Sequence, residues 1–145
     1  MDTIWVVVAD QSRARMFAMH GRWGSLEEVD NLVHPEGRLH DQDLNADRPG
    51  RSFDTMGDGR HGMSKRHSPK EMEAIRFAAE ITQRVALAYH KGAFKQLVLI
   101  APPRFLALLR ERLPQAVSHC VILCEDKNLT RDDADSIREH IRNAY

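Results

Sequence analysis

The sequence predicts a mixed α/β fold, a sheet with helices on its faces, and three observations carry that prediction. A near-continuous apolar run opens the chain, a long and well-capped helix starts at Ser68-Pro69, and apolar runs then alternate with amphipathic helices to the end. Thr3 to Ala9 (Thr-Ile-Trp-Val-Val-Val-Ala) is β-branched and apolar throughout, as in a strand covered on both faces. Arg13 to His20 alternates basic or small residues with apolar ones. The turn signal Gly21-Arg22-Trp23-Gly24 follows, and Ser25 to Val33 reads as a third strand, so strands two and three form an antiparallel hairpin.

A glycine-rich, charge-dense segment comes next, from Pro35 to Ser68. A stretch of that length without regular structure is uncommon inside a domain and points to a working loop or to disorder. It ends at the clearest helix start in the chain. Ser68 is the expected N-cap, Pro69 the first helical residue, and Glu71 completes a capping box. The helix runs from Pro69 to about His90, with an apolar stripe of Ile75, Ala78, Ala79, Ile81, Val85, Ala88 and Tyr89, and Gly92 ends it. At about 1.5 Å per residue it spans roughly 33 Å, enough to cross a sheet. Gln96 to Ile100 is the next strand, Pro103 to Leu113 a helix stopped by Pro114, and Val117 to Cys124 a strand. Thr130 is expected to cap a last helix bearing Ala134, Ile137 and Ile141. The order β-β-β-α-β-α-β-α matches the ribonuclease-H-like class of folds.

Length and charge bound the function. The 145 residues suffice for a single domain with a proper core, residues 1–145 with the long loop at 35–68. Lysine plus arginine equal aspartate plus glutamate at 21 each, so any case for nucleic-acid binding must be local. The N-terminus lacks a basic leader and its apolar run stops at Asp10, too short for a membrane span. Cys120 and Cys124, placed on one strand, would stand about 13 Å apart, too far for a mutual disulfide. Two free thiols and no export signal point to the cytoplasm.

The enzyme signals are thin. A two-metal nuclease needs carboxylates converging at strand ends. Asp10 is placed for one of them, but the fourth strand ends in Ile100-Ala101-Pro102 and supplies none. Asp10 is therefore expected to form a turn or cap. His34, His40, His61 and His67 lie in or beside the loop with Asp41, Asp43, Asp54 and Asp58, but no pair has metal-site spacing, so solvated polar residues are expected. Gly57-Asp58-Gly59 is no phosphate-cradling loop, because the lysine and hydroxyl positions are missing. No cofactor or metal is called for.

From Gly59 to Lys70 the chain reads Gly-Arg-His-Gly-Met-Ser-Lys-Arg-His-Ser-Pro-Lys, with no acid. Gly59 and Gly62 let backbone amides approach a partner closely, and the helix N-terminus favours anions. Arg60, Lys65, Arg66 and Lys70 suit a sugar-phosphate backbone, with His61, Ser64 and His67 between them. The same residues equally suit a solvated loop whose acidic first half (Glu36, Asp41, Asp43, Asp47) neutralises its basic second half.

The block Gly59-Arg60-His61-Gly62-Met63-Ser64, the helix segment Ile75-Arg76-Phe77-Ala78 and the strand Leu97-Val98-Leu99-Ile100-Ala101-Pro102 resemble the middle domain of archaeal and eukaryotic class-I peptide-chain release factors. Nearly the whole chain also resembles a bacterial offshoot of that domain, the host attachment proteins, or proteins required for attachment to host cells. Trp5-Val6-Val7-Val8-Ala9-Asp10, Arg13-Ala14-Arg15 and Asp47-Arg48-Pro49-Gly50-Arg51-Ser52-Phe53-Asp54 carry this second likeness, together with the loop-to-helix junction. The resemblance implies ribosome or tRNA contact and adds Arg48 and Arg51 to the RNA-binding set. It does not carry over hydrolysis. The family's loop glutamine is replaced here by Gly62-Met63, and a thioether cannot donate a hydrogen bond to orient water.

The first expectation is thus a non-catalytic, release-factor-like domain binding the ribosome or structured RNA. The alternatives are a protein-interaction module in host colonisation or surface regulation, and, more remotely, a hydrolase built on the loop histidines. No membrane partner is indicated, and the sequence leaves oligomeric state open.

Overall fold

In the computed structural model, residues 2–21, 24–34 and 68–144 are described. They form a five-stranded mixed sheet of order β3-β2-β1-β4-β5. β1 (Thr3–Ala9) lies at the centre, antiparallel to β2 (Arg13–His20) and parallel to β4 (Gln96–Ile100). β3 (Leu26–Val33) pairs antiparallel with β2, and β5 (Val121–Glu125) pairs parallel with β4. The hairpin of β2 and β3 forms as expected. Its turn demands glycine: Gly21 sits at φ 82°, and a Cβ on Gly24 would lie 2.8 Å from the His20 carbonyl oxygen.

The pleat of β1 divides the core in two. Trp5, Val7 and Ala9 face one side with Leu97, Leu99 and Ala101; Ile4, Val6 and Val8 face the other with Val98 and Ile100. The first side is covered by α1 (Pro69–His90) and α2 (Pro103–Arg112), and the short α3 (Gln115–Ser118) adds Val117. The second side receives Ile137 and Ile141 of α4 (Ala134–Ala144).

α1 begins and ends as its residues dictate. Ser68 Oγ accepts from Glu71 N at 3.1 Å, and Glu71 Oε1 accepts from Ser68 N at 3.0 Å, closing the capping box. At the other end Gly92, at φ 78°, donates to Tyr89 O, and Ala93 donates to Ala88 O, both at 2.9 Å. These are the two bonds of a Schellman motif, which requires a left-handed residue.

Two boundaries and one stripe differ from the sequence expectation, and one short helix is added. Val117 to Cys120 is not strand. Pro114, with its φ of −57°, starts a single helical turn whose Val117 is fully buried, and β5 begins only at Val121. The element order therefore gains α3. Cys120 lies in the turn before β5, and both thiols are free. Thr130 does not cap α4. Asp133 does, its Oδ1 accepting from Ser136 N at 2.8 Å, while Thr130 is buried in another network. The buried stripe of α1 is Ala74, Phe77, Ala78, Ile81, Thr82 and Val85, whereas Ile75 is only half-buried. Thr82 is tolerated inside because its hydroxyl lies 3.0 Å from Ala78 O, within donating distance.

Phe77 is the hub of the α1 layer. It is fully buried, its ring centroid 4.8 Å from that of His34 and 6.0 Å from that of Phe105, so it joins the end of β3 to α1 and α2. Phe77→Ala is expected to reduce the free energy of unfolding by about 3–5 kcal/mol, the usual cost of emptying such a site. Urea denaturation followed by circular dichroism measures it.

Candidate functional site

β1 and β4 run parallel and finish side by side, so Asp10-Gln11 and Pro102-Pro103-Arg104 leave the sheet at the same end. The carboxyl ends of parallel strands are where open α/β sheets hold ligands. Here the first turns of α1 and α2 meet the β1–β2 turn and enclose a groove of about 660 Å³. Gln11, Ser68, Lys70, Glu71 and Arg104 supply its polar lining, and Ala74, Ile75, Phe105, Ala107 and Leu108 its apolar lining.

The polar groups are unequal. Glu71 is drawn back onto Ser68 by the capping box. α2 has the opposite character: its N-cap is Pro102, no side chain caps its first turn, and no acid stands there. The N–H groups of Arg104 and Phe105 therefore face the groove end of α2 without a side-chain acceptor, beside an exposed guanidinium. Lys70 and Arg104 thus set two cations over an apolar floor at a helix N-terminus. Such a surface suits anionic groups carried on a partly apolar body.

Lys70 lines this groove, as far as the sequence-predicted cationic set can be followed. Arg48, Arg51, Gly59, Arg60, His61, Gly62, Ser64, Lys65, Arg66 and His67 lie outside the described residues. Arg104 was not in that set. Its signal was the Pro-Pro pair followed by a basic residue where a helix start normally carries Ser, Thr or Asp.

Asp10 forms the predicted turn. Its Oδ1 accepts from Ser12 N at 2.8 Å and Arg13 N at 3.0 Å. Its Oδ2 accepts from Asn128 Nδ2 at 3.1 Å and lies 3.0 Å from the Thr130 hydroxyl. That hydroxyl also lies 2.8 Å from Asn128 Oδ1, so its single proton serves one acceptor at a time. Nearby, Arg15 donates from Nη1 to Thr130 O at 3.1 Å and Asp132 O at 2.6 Å, and forks onto both Glu28 oxygens. Asp10 and Arg15 together fasten the loop between β5 and α4 to the β1–β2 corner.

His34, at the end of β3, stacks on Phe77, with Nε2 3.2 Å from Glu73 Oε1; Glu73 also pairs with Arg76. Among the described residues no group of three or more His, Cys, Asp or Glu side chains is arranged to hold a metal ion. His40, His61 and His67 lie outside them. Also among the described residues, no helix is long and apolar enough to cross a membrane. Burial pushes the Cys120 and Cys124 thiols above the usual cysteine range, and Arg110 partly offsets this at Cys124.

The family model described as "Protein required for attachment to host cells" matches residues 5–141. No curated protein matches the chain. Among solved structures, an archaeal protein is similar at 10% identity with a TM-score of 0.47, covering 98% of this chain and 38% of its own. The crystal structure of archaeal translation termination factor aRF1 is similar at 12% identity with a TM-score of 0.41, with the same two coverages. The chain therefore spans little more than a third of the length of either protein.

Two outcomes follow from the geometry. Asp10→Ala is expected to lower the unfolding free energy by about 2 kcal/mol, the scale of charge-assisted hydrogen bonds lost in a half-buried turn. Asp10→Asn should lose less, because its carbonyl oxygen still accepts; denaturant titration of both variants checks this. The raised thiols hold less thiolate at neutral pH, so iodoacetamide should alkylate Cys120 and Cys124 more slowly than glutathione, read by mass spectrometry.

Proposed function

The chain belongs to the family of proteins required for attachment to host cells, and within it we propose a non-catalytic domain that binds the ribosome or structured RNA. The binding surface is the basic junction from Arg48 to Lys70 together with the groove at the foot of α1. The observation that carries this is the groove itself. Lys70, the last of the junction cations, lies in it with Arg104, beside a helix N-terminus that no side chain caps. The groove that Lys70 lines is therefore suited to phosphate. Asp10, the one carboxylate placed by the sequence for metal chemistry, spends both oxygens on turn and loop contacts, which supports binding over hydrolysis.

We also assign the sheet to the ribonuclease-H-like, release-factor middle-domain class. The order β3-β2-β1-β4-β5, with only β2 running against the rest of the β1 neighbourhood, supports that assignment. A part in host attachment is then indirect, exerted through translation or an RNA partner. The apolar half of the groove, Ala74, Ile75 and Leu108, favours a second reading, a protein partner engaged in colonisation or surface regulation.

Binding to ribosomal RNA or tRNA should weaken steeply with salt. The logarithmic slope should shrink by about 0.7–0.9 for each phosphate contact removed. Arg104→Ala should cost one such contact and leave the thermal midpoint unchanged. Lys65→Ala combined with Arg66→Ala should remove most of the affinity. Fluorescence anisotropy across a salt series measures both, and co-sedimentation with ribosomal particles on a sucrose gradient tests the partner. Salt-insensitive binding, or a pull-down that recovers proteins and no RNA after nuclease treatment, favours the protein partner instead.

A further inference from the structure

The groove at the starts of α1 and α2 is graded along its length. Lys70 and Arg104 stand in the first turns of the two helices. Ile75 and Leu108 lie a turn further along, about 6–8 Å beyond them at 1.5 Å per residue. Both are half-buried, so each keeps part of an aliphatic side chain on the groove wall. Gln11, half-buried in the turn between β1 and β2, adds one amide to the lining. Among the described residues, no hydrogen bond or ion pair occupies the Gln11 amide or the Arg104 guanidinium. Their donors and acceptor are thus open to a ligand.

We propose that the groove takes one unpaired nucleotide of an RNA, its phosphate at Lys70 and Arg104, its base laid over Ile75 and Leu108, and Gln11 at the base edge. The inference rests on the RNA-binding reading above and narrows it to a strand end, loop or bulge at the point of contact. Three kinds of group answer to three parts of such a nucleotide. Cations suit the phosphate, the aliphatic floor suits the flat of the base, and an amide, both donor and acceptor, suits its edge. A paired helix cannot use them together, because an A-form duplex turns its base faces inward and offers phosphates and ribose. The volume, about 660 Å³, lies within the range of pockets that hold one small ligand. An apolar protein segment on the same floor would strip water from the amide and the cations without replacing it. The floor meets the face of any base, so strandedness is selected before sequence.

Fluorescence anisotropy on the full chain tests this, comparing a short unstructured RNA strand with the blunt duplex of the same sequence at one salt concentration. The strand should bind about tenfold more tightly, the scale of one base platform. Ile75→Ser and Gln11→Ala should each weaken the strand and leave the salt slope as it was, because neither residue contacts a phosphate. Arg104→Ala should weaken strand and duplex alike and reduce that slope. Equal binding of strand and duplex overturns the proposal, and so does a strand affinity that neither Ile75→Ser nor Gln11→Ala lowers. In both cases, binding that Arg104→Ala still weakens leaves the RNA reading standing. No binding of strand or duplex removes that reading as well. A free nucleoside monophosphate that displaces the strand at the strand's own dissociation constant makes the free nucleotide the ligand and also overturns the proposal. Should circular dichroism show Ile75→Ser unfolded, Gln11→Ala decides alone.

Discussion

β1 can turn neither face to water, and that constraint organises the molecule. Ile4, Val6 and Val8 project to one side and Trp5, Val7 and Ala9 to the other, so a single helical layer would strand half of them. The chain answers with two layers of unequal weight. α1 and α2 cover one side, and α4 contributes Ile137 and Ile141 to the other. Because β1 and β4 are parallel neighbours at the centre, the chain leaves both at one end of the sheet. α1 and α2 share one face and both begin at that end, so their first turns meet there. The groove is therefore a consequence of burying β1, and its character comes from what starts each helix: a satisfied capping box on α1, two prolines and an arginine on α2.

The same end is stiffened by polar contacts of long sequence separation. Asp10 and Arg15 reach residues more than a hundred positions away, at Asn128, Thr130 and Asp132. The arginine also forks onto Glu28 and lies 5.0 Å from the centre of the Phe17 ring, so one guanidinium ties β2, β3 and the approach to α4. The acid at the end of β1 thus serves architecture. Its geometry, two backbone donors on one oxygen and two side chains at the other, leaves it directed inward to the corner.

Much of this could be read from the residues, and the failures have identifiable physical causes. The strands of 3–9, 13–20 and 96–100 announced themselves by apolar runs or by alternation, and α1 by its capping box and Gly92. Val117 misled because a buried valine looks alike in a strand and in one helical turn; only Pro114 marked the difference. Thr130 and Asp133 both resemble caps, and the choice between them was made by Asp10, far away in sequence. Phe77 was passed over in favour of Ile75 because the face α1 buries depends on where Phe105 and His34 stand. At the groove, Lys70 was legible through its charged neighbours. Arg104 was hidden, since a lone basic residue gains meaning only when folding brings a second helix start beside it.

The lighter of the two helical layers has a consequence for biosynthesis. Ile4, Val6, Val8, Phe17, Met19, Val98 and Ile100 receive Ile137 and Ile141 from a helix translated after every strand of the sheet. Until that segment clears the exit tunnel, an otherwise assembled sheet carries a bare greasy side. Nascent chains in that condition are natural clients for chaperones, and a stall in elongation before Ala134 would hold this protein at its most aggregation-prone moment.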